Sequence, residues 1–467
     1  MPEYEPLYTA EEMRAAEARY PGFPDTAPEL MERAGALAAK VALQELADAK
    51  QFTVVCGGGS NGGDGRVVAR HLDAAGKSVR VVDAKAGERG LGEPDAIIDA
   101  LFGTGFTGTP REDAAALITA INASGARVLS IDVPSGVDAS TGEVAGEAVR
   151  AHVTVTFHAR KVGLAVAPGR FHAGTVHAVD IGLERGPTAS RLATAKLLRA
   201  VPLRGERDNK YTSGHLLVVG GSRGLTGAPS LAALAAMRAD AGYVTVAAPA
   251  SSLPVLEQRL LEAVKRPLPE TDGVVAADAA DVVLELAAKA SAVALGPGLG
   301  RGEGPQALVR RLLGELELPV VVDADALFEL EPAAWPGHRV LTPHEGELAR
   351  LLGRESADVA AHRLAAVREA ADRFGSVVLL KGPDTLVASP GAGGVTVVAL
   401  GLPSLATAGT GDVLTGITGA FLAKGMEPLE AAAAAAAAQQ RASIEAPQRA
   451  GLVAGDLVDA LPRALAR

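Results

Sequence analysis

Short, uniformly apolar runs alternate with helix-patterned stretches along most of this chain, and few folds accommodate that pattern. In the first half the runs are Phe52–Cys56, Ser78–Val82, Asp95–Asp99, Val128–Asp132, Val153–Phe157 and Val176–Ile181. A strand that is apolar on both faces needs cover on both, and a parallel sheet between helical layers provides it. Thr9 and Glu12 have capping-box spacing, so a helical leader is expected there, with a second helix over Leu30–Ala47. A charged, proline-bearing stretch near Arg185–Arg207 reads as a linker. A second alternation follows, at Leu216–Val219, Tyr243–Ala247, Ala292–Leu295, Val320–Asp323, Val340–Leu341, Val377–Lys381 and Val395–Leu400. A chain of 467 residues has room for both, so two α/β domains are expected, over residues 1–200 and 201–467.

Composition removes several function classes. Hydrophobic residues make up 48% and charged residues 21%, enough to build cores rather than a disordered chain. Aromatics are 3%, too few for a platform that stacks single-stranded nucleic acid. A net charge of −10 argues against nucleic acid and anionic membranes as partners. Cys56 is the only cysteine, which excludes an intramolecular disulfide and a cysteine-based zinc site and suits a reducing cytoplasm. No signal-like segment opens the chain and no run reaches transmembrane length. The alanine tract Ala431–Ala438 reads as a closely packed helix. The expected setting is a cytoplasmic homo-oligomer acting on small molecules.

The polar residues of the first half collect where its strands end. They fall in CGGGSNGGDG (Cys56–Gly65), DALFGTGFTGT (Asp99–Thr109), DVPSGVD (Asp132–Asp138) and, more weakly, FHARKVGL (Phe157–Leu164). In an open parallel sheet, ligands bind beyond the carboxyl ends of the strands, so these loops converge on one crevice. Glycines let backbone approach a ligand closely. Asn61, Asp64, Asp99, Asp132 and Ser135 supply hard oxygens suited to a cation. A phosphate-bearing ligand and a metal ion follow from that set.

Those motifs, in that order, resemble the NAD(P)H-hydrate epimerase domain over roughly the first 190 residues. The resemblance implies a Rossmann-like domain that interconverts the C6 epimers of hydrated NADH and NADPH and binds potassium. By motif, Asn61, Asp99 and Ser135 would hold the ion. Ser60, Asn61, Gly62, Gly63 and Asp64, then Gly103, Thr104, Gly105, Phe106, Thr107, Gly108 and Thr109, with Asp132, would contact the substrate. Ser60 stands where the family usually has asparagine; it keeps an oxygen and a donor, so substrate contacts would be retuned. Epimerisation needs a planar C6, made by losing the hydroxyl or opening the ring, and a carboxylate can act as base there. Asp132 is the candidate. Lys161 is a weaker one that reads as a surface lysine.

The second half carries its own ordered set: VVGGS and GAPSLAA after His215, ALGPGLG, VVDADAL, LTPHEGE, LLKGPDT and ATAGTGDVLTG. A GTGD turn entering a helix points backbone amides and the positive end of the dipole at a transferring phosphoryl group. Asp412 at that helix start could accept the proton of the attacking hydroxyl. No Walker-type glycine–lysine loop is present.

This set resembles the ribokinase-like superfamily and, within it, the ADP-dependent NAD(P)H-hydrate dehydratase, over about Lys210–Arg467. The resemblance implies phosphorylation of the C6 hydroxyl by ADP, then loss of phosphate to restore NAD(P)H and leave AMP. Ala228, Gly298 and His344 would line the substrate, with Asp412 as base. Lys381, Gly382, Pro383, Asp384, Thr385 and Gly411 would contact the nucleotide, with magnesium accompanying it. Asp323 and Glu345 are the possible magnesium ligands. Two departures stand out: Leu402, Pro403, Ser404 and Leu405 replace the usual Asn-Pro-Gly-Met, and Ala408 replaces a glycine. A sugar or hydroxymethylpyrimidine kinase with a non-catalytic nucleotide-binding first half is the alternative reading.

Overall fold

The computed structural model describes residues 3–448 and 450–466. It divides into two compact α/β units, one formed by residues 6–190 with 360–364, the other by the remainder.

The first unit holds a six-stranded sheet in which every neighbouring pair is parallel. In spatial order its strands are Ser78–Asp83, Gln51–Cys56, Ala96–Ala100, Arg127–Ile131, Val153–Phe157 and Thr175–Val179. The chain order reverses between Gln51–Cys56 and Ala96–Ala100, which opens a crevice at their carboxyl ends. Ala27–Glu45 and Ser60–Ala74 form one covering layer and share a core with Val54, Ile98 and Val155. Glu112–Ala123 packs on the other face through Leu117, Ile118 and Ile121. The leader helix Ala10–Ala18 starts at a true capping box: Thr9 caps the Glu12 amide and the Glu12 carboxylate returns to the Thr9 amide.

The second unit is built on an eleven-stranded sheet, mostly parallel. From one edge it runs Val264–Leu268, Tyr243–Pro249, His215–Val219, Ala292–Leu295, Val320–Val322, Arg339–Leu341 and Val377–Leu380. Thr385–Ala388 and Thr396–Val398 then turn antiparallel. The order reverses between His215–Val219 and Ala292–Leu295, again creating a switch-point crevice. The alanine tract lies inside helix Pro428–Glu445, and all eight of its alanines are buried in the core of this single chain. Small residues let helices approach closely. A Cβ on Gly416 of helix Thr410–Ala423 would sit 2.1 Å from the Ala232 carbonyl of helix Gly227–Arg238.

Two expectations are corrected. The presumed linker contains a strand, Ser190–Ala193, paired in parallel with Thr396–Val398, and Leu197 and Leu198 behind it are buried. The chain also begins with an edge strand, Tyr4–Leu7, ahead of the leader helix. Arg191 explains both. Its guanidinium lies 3.7 Å from the Tyr4 ring centroid and pairs with Glu430, so charges that suggested a solvated linker are spent within the unit.

Candidate active sites

A cavity of about 740 Å³ opens at the switch point of the first unit. Met13 and Glu17 of the leader helix and Ala27, Leu30, Met31 and Ala34 of the next helix form one wall. Opposite lie Gly58–Asn61, Asp64, Leu101–Thr107 and Asp132. Ser60, Asn61, Asp64, Gly103, Thr104, Gly105, Phe106, Thr107 and Asp132 therefore share one cavity. Gly62, Gly63, Gly108 and Thr109 do not line it. Gly62 is a packing residue: its Cβ would fall 1.9 Å from the Gly57 carbonyl, so glycine there lets the turn close against the sheet. Gly63 faces the flexible end of the Met31 side chain instead, and Thr109 hydrogen-bonds the Ala145 carbonyl.

Behind the cavity floor Asp99 is fully buried and accepts from Ser130 Oγ at 2.7 Å, Ser135 Oγ at 2.6 Å and the Ser135 amide at 2.9 Å. Burial raises its pKa despite those donors. Asn61 donates Nδ2 to the Phe102 carbonyl at 2.8 Å, while its Oδ1 is buried with no partner. An orphaned acceptor beside a carbonyl, a serine hydroxyl and a buried carboxylate suits a desolvated cation.

Asp132 follows strand Arg127–Ile131 in a left-handed conformation, φ 67°, uncommon outside glycine. Lys161 is not the surface lysine expected. It is fully buried and donates to Asp132 Oδ1 at 2.6 Å, Thr156 Oγ1 at 2.9 Å and the Phe157 carbonyl at 2.8 Å. Those acceptors saturate the ammonium, which explains how a charged lysine tolerates burial. Sequence reasoning missed Glu17. Its clue was position: four residues after the buried Met13 it falls on the same helix face.

In the second unit three neighbouring strands deliver one polar cluster at their carboxyl ends. Asp323, after Val320–Val322, is buried and accepts from Thr342 at 2.8 Å, Lys381 at 2.9 Å and Thr415 at 2.6 Å. Those three donors touch both of its oxygens and take up most of its acceptor capacity. Lys381 also lies 3.7 Å from Glu347. Burial disfavours the Lys381 charge, but Asp323 and Glu347 outweigh it and the pKa is raised. Asp412 stands in the first turn of helix Thr410–Ala423, after Gly409 at φ 87°. Burial, with Asp323 adding to it and Lys381 opposing, pushes its pKa up to about 7.

The other expected residues gather less evenly. Gly298, Leu225 and Ala228 meet at the switch point, where a Cβ on Gly298 would lie 3.3 Å from that of Ala228. His344 is exposed, but its Nδ1 caps helix Glu345–Leu352 by accepting from the Gly346 amide at 3.0 Å. Gly411 sits above the Lys381 ammonium, 3.4 Å from where its Cβ would be. Of the Lys381–Thr385 stretch, Gly382 and Pro383 are exposed, whereas Asp384 and Thr385 are buried and Thr385 accepts from Gln440. The Leu402–Leu405 turn is fastened from below: Gln440 Oε1 accepts from the Leu400 and Gly401 amides, and Ser443 Oγ from Leu402.

Two switch points, one with a glycine-rich floor and one with an aspartate at a helix start, mark an α/β protein with two candidate ligand sites. Residues 216–465 match the NAD(P)H-hydrate dehydratase family, and residues 27–92 and 83–163 match the YjeF-related protein N-terminus family. The bifunctional NAD(P)H-hydrate repair enzyme of Moorella thermoacetica is 39% identical, over 89% of this chain and 87% of that one. That of Salinibacter ruber is 39% identical over 99% and 96%. The ADP/ATP-dependent NAD(P)H-hydrate dehydratase of Bacillus subtilis, crystallised with ATP and Mg²⁺, is 30% identical, with TM-score 0.51, over 58% of this chain and 96% of that one. A ribokinase-like superfamily protein of Enterococcus faecalis, 23% identical with TM-score 0.53, shows the same fold for the second unit. The chain belongs to the bifunctional NAD(P)H-hydrate repair enzymes, with an epimerase half and a dehydratase half. The small-molecule kinase alternative is not favoured by these relatives. No helix among the described residues is long and apolar enough to cross a membrane.

Proposed function

We propose that the cavity over Asp132 is the epimerase site and the cleft over Asp412 the dehydratase site of hydrated NADH and NADPH. In the first, Ser60, Asn61, Asp64 and the Gly103–Thr107 loop hold the hydrate, and Asp132 is the base at C6. Lys161 donates to Asp132 Oδ1, leaving Oδ2 for the substrate. Asn61, Asp99 and Ser135 would hold potassium. Asn61 Oδ1 supplies the vacant acceptor and Asp99 the balancing charge. The bound ion would add positive charge beside the loops that meet the phosphates.

In the second, Asp412 accepts the C6 hydroxyl proton as that oxygen attacks the terminal phosphoryl group of ADP. The Gly409–Gly411 amides and Lys381 stabilise the charge on the phosphoryl oxygens. AMP departs as the phosphoryl group is transferred; phosphate then leaves C6 with its bonding pair, hydroxide being far the poorer leaving group, and loss of a C5 proton to solvent closes the C5=C6 bond of NAD(P)H. Magnesium would accompany the nucleotide phosphates, neutralising charge on the transferring group.

The observation that carries this reading is Asp412, a carboxyl held near pKa 7 at a helix start beside Lys381. Asp132→Asn should abolish epimerisation and spare dehydration of the S form, while Asp412→Asn should do the reverse. Loss of both activities in either variant would refute two separate sites.

A further inference from the structure

The first cavity contains more carboxyl groups than its cation can serve. Glu17, Asp64 and Asp132 all line it. Lys161 is committed to Asp132, Thr156 and the Phe157 carbonyl. The side chains of Asp64 and Glu17 make no hydrogen bond or ion pair to a described residue. The wall of helix Ala27–Glu45 facing them offers only Ala27, Leu30, Met31 and Ala34; its Arg33 does not line the cavity and donates to the Ile181 carbonyl. Arg14 reaches Glu17 only as a distant charge from the same helix. Like charges facing an apolar wall cannot all ionise, so one carboxyl keeps its proton.

We propose that Asp64 is the proton donor of this site, giving its proton to the departing C6 hydroxyl, and that Glu17 is the positioning residue for that proton. The proposal rests on the reading of this cavity as the epimerase site. Its chemistry follows from pairs of carboxyls set apart by their surroundings. Asp64 O–H protonates the hydroxyl oxygen, and the C6–O bond breaks with its electron pair leaving as water. The N1 lone pair forms the C6=N1 bond, giving a planar cation that Glu17 and Asp132 stabilise. Water adds to the other face, the π pair returns to N1, and the surplus proton passes to Asp132. Asp132 then releases that proton to solvent and Asp64 regains one. The surroundings agree: burial first, then Asp132 and Glu17, push the Asp64 pKa up to about 8 against the pull of Lys161. Glu17 is itself raised by burial and Asp132.

The test measures interconversion of separated NADHX epimers by chiral chromatography, without nucleotide and with the spontaneous rate subtracted, from pH 6 to 9.5. Dehydration of the S epimer by the same samples reports intact protein. Asp64→Asn should lower the epimerisation kcat about 100-fold or more, the usual contribution of a general acid. Wild-type rate should fall as pH rises through about 8. Glu17→Gln, which removes a like charge, should move that fall down by roughly half to one pH unit. A merely structural Glu17 would not move it. Asp64→Asn within threefold of wild type, or an unmoved pH limb in Glu17→Gln, overturns the proposal. Asp132→Asn separates the two levels: if it also retains full epimerisation, the cavity assignment itself fails.

Discussion

Lys381→Met removes the cation that opposes the elevated pKa of Asp412, and its consequences can be worked through. Asp412 is raised to about 7 by burial and by Asp323, with Lys381 the principal lowering influence. A base must be ionised, so the wild-type dehydration rate should climb with pH through about 7 and then level. Losing a neighbouring cation shifts a half-buried carboxyl by about one unit, or ~1.4 kcal/mol. At pH 7 the ionised fraction then falls from about a half to about a tenth, a roughly fivefold loss from titration alone. That portion should return at pH 8.5. A second portion, from weaker phosphoryl stabilisation, should not. Asp323 keeps Thr342 and Thr415 but loses its counterion, so the second unit should also lose ~1–3 kcal/mol. The assay is the initial rate of NADH recovery from pure S-NADHX with saturating ADP and magnesium, from pH 5.5 to 9.5. A limb that stays near pH 7 in the variant, or a wild-type rate flat between pH 6 and 8, would refute the reasoning.

Further outcomes follow from the same contacts. Lys161→Met strands the buried Asp132 carboxylate and should destabilise the first unit by ~3–5 kcal/mol in urea unfolding, with epimerisation lost. Asp64→Asn should change stability with pH. The folded state holds the Asp64 proton more tightly, so its contribution is complete below pH 3.8 and fades as pH rises toward about 8. The variant should therefore be the more stable protein at pH 8, and equal to wild type near pH 3.8 if both remain folded. His344→Ala should cost ~1 kcal/mol by removing a helix cap, and His344→Asn should restore it. A KM change shared by both variants would then report substrate contact. Asn61→Ala should abolish potassium stimulation of epimerisation, measured against sodium.

Much of the first cavity's lining was legible because its loops follow successive strands. Loops that follow strands in an all-parallel sheet must meet at one end, so Asn61, Asp99, Asp132 and Ser135 could be gathered from spacing alone. Glu17 could not, since nothing in a nine-residue leader helix says which crevice it will roof. Lys161 was misjudged because lysines are usually solvated; only the tertiary placement of Thr156 and the Phe157 carbonyl makes burial tolerable. Glycine-rich turns carried two signals that sequence cannot separate. Gly103 meets the cavity, whereas Gly62 exists to let backbone pass backbone. In the second unit Asp412 is legible in its GTGD turn, but the partners of Asp323 are not. Those partners, Thr342, Lys381 and Thr415, come from three separate segments. The strand at Ser190–Ala193 was hidden by its charge, which Tyr4 and Glu430 neutralise from opposite ends of the chain.

The most direct test of two cooperating chemistries in one chain supplies both NADHX epimers with potassium, magnesium and ADP and follows NADH absorbance. Wild type should recover all of it, while Asp132→Asn should stop at the S fraction once spontaneous epimerisation is subtracted. Wild-type recovery that also halts at the S fraction would contradict a working first site, and no recovery at all would contradict the account as a whole.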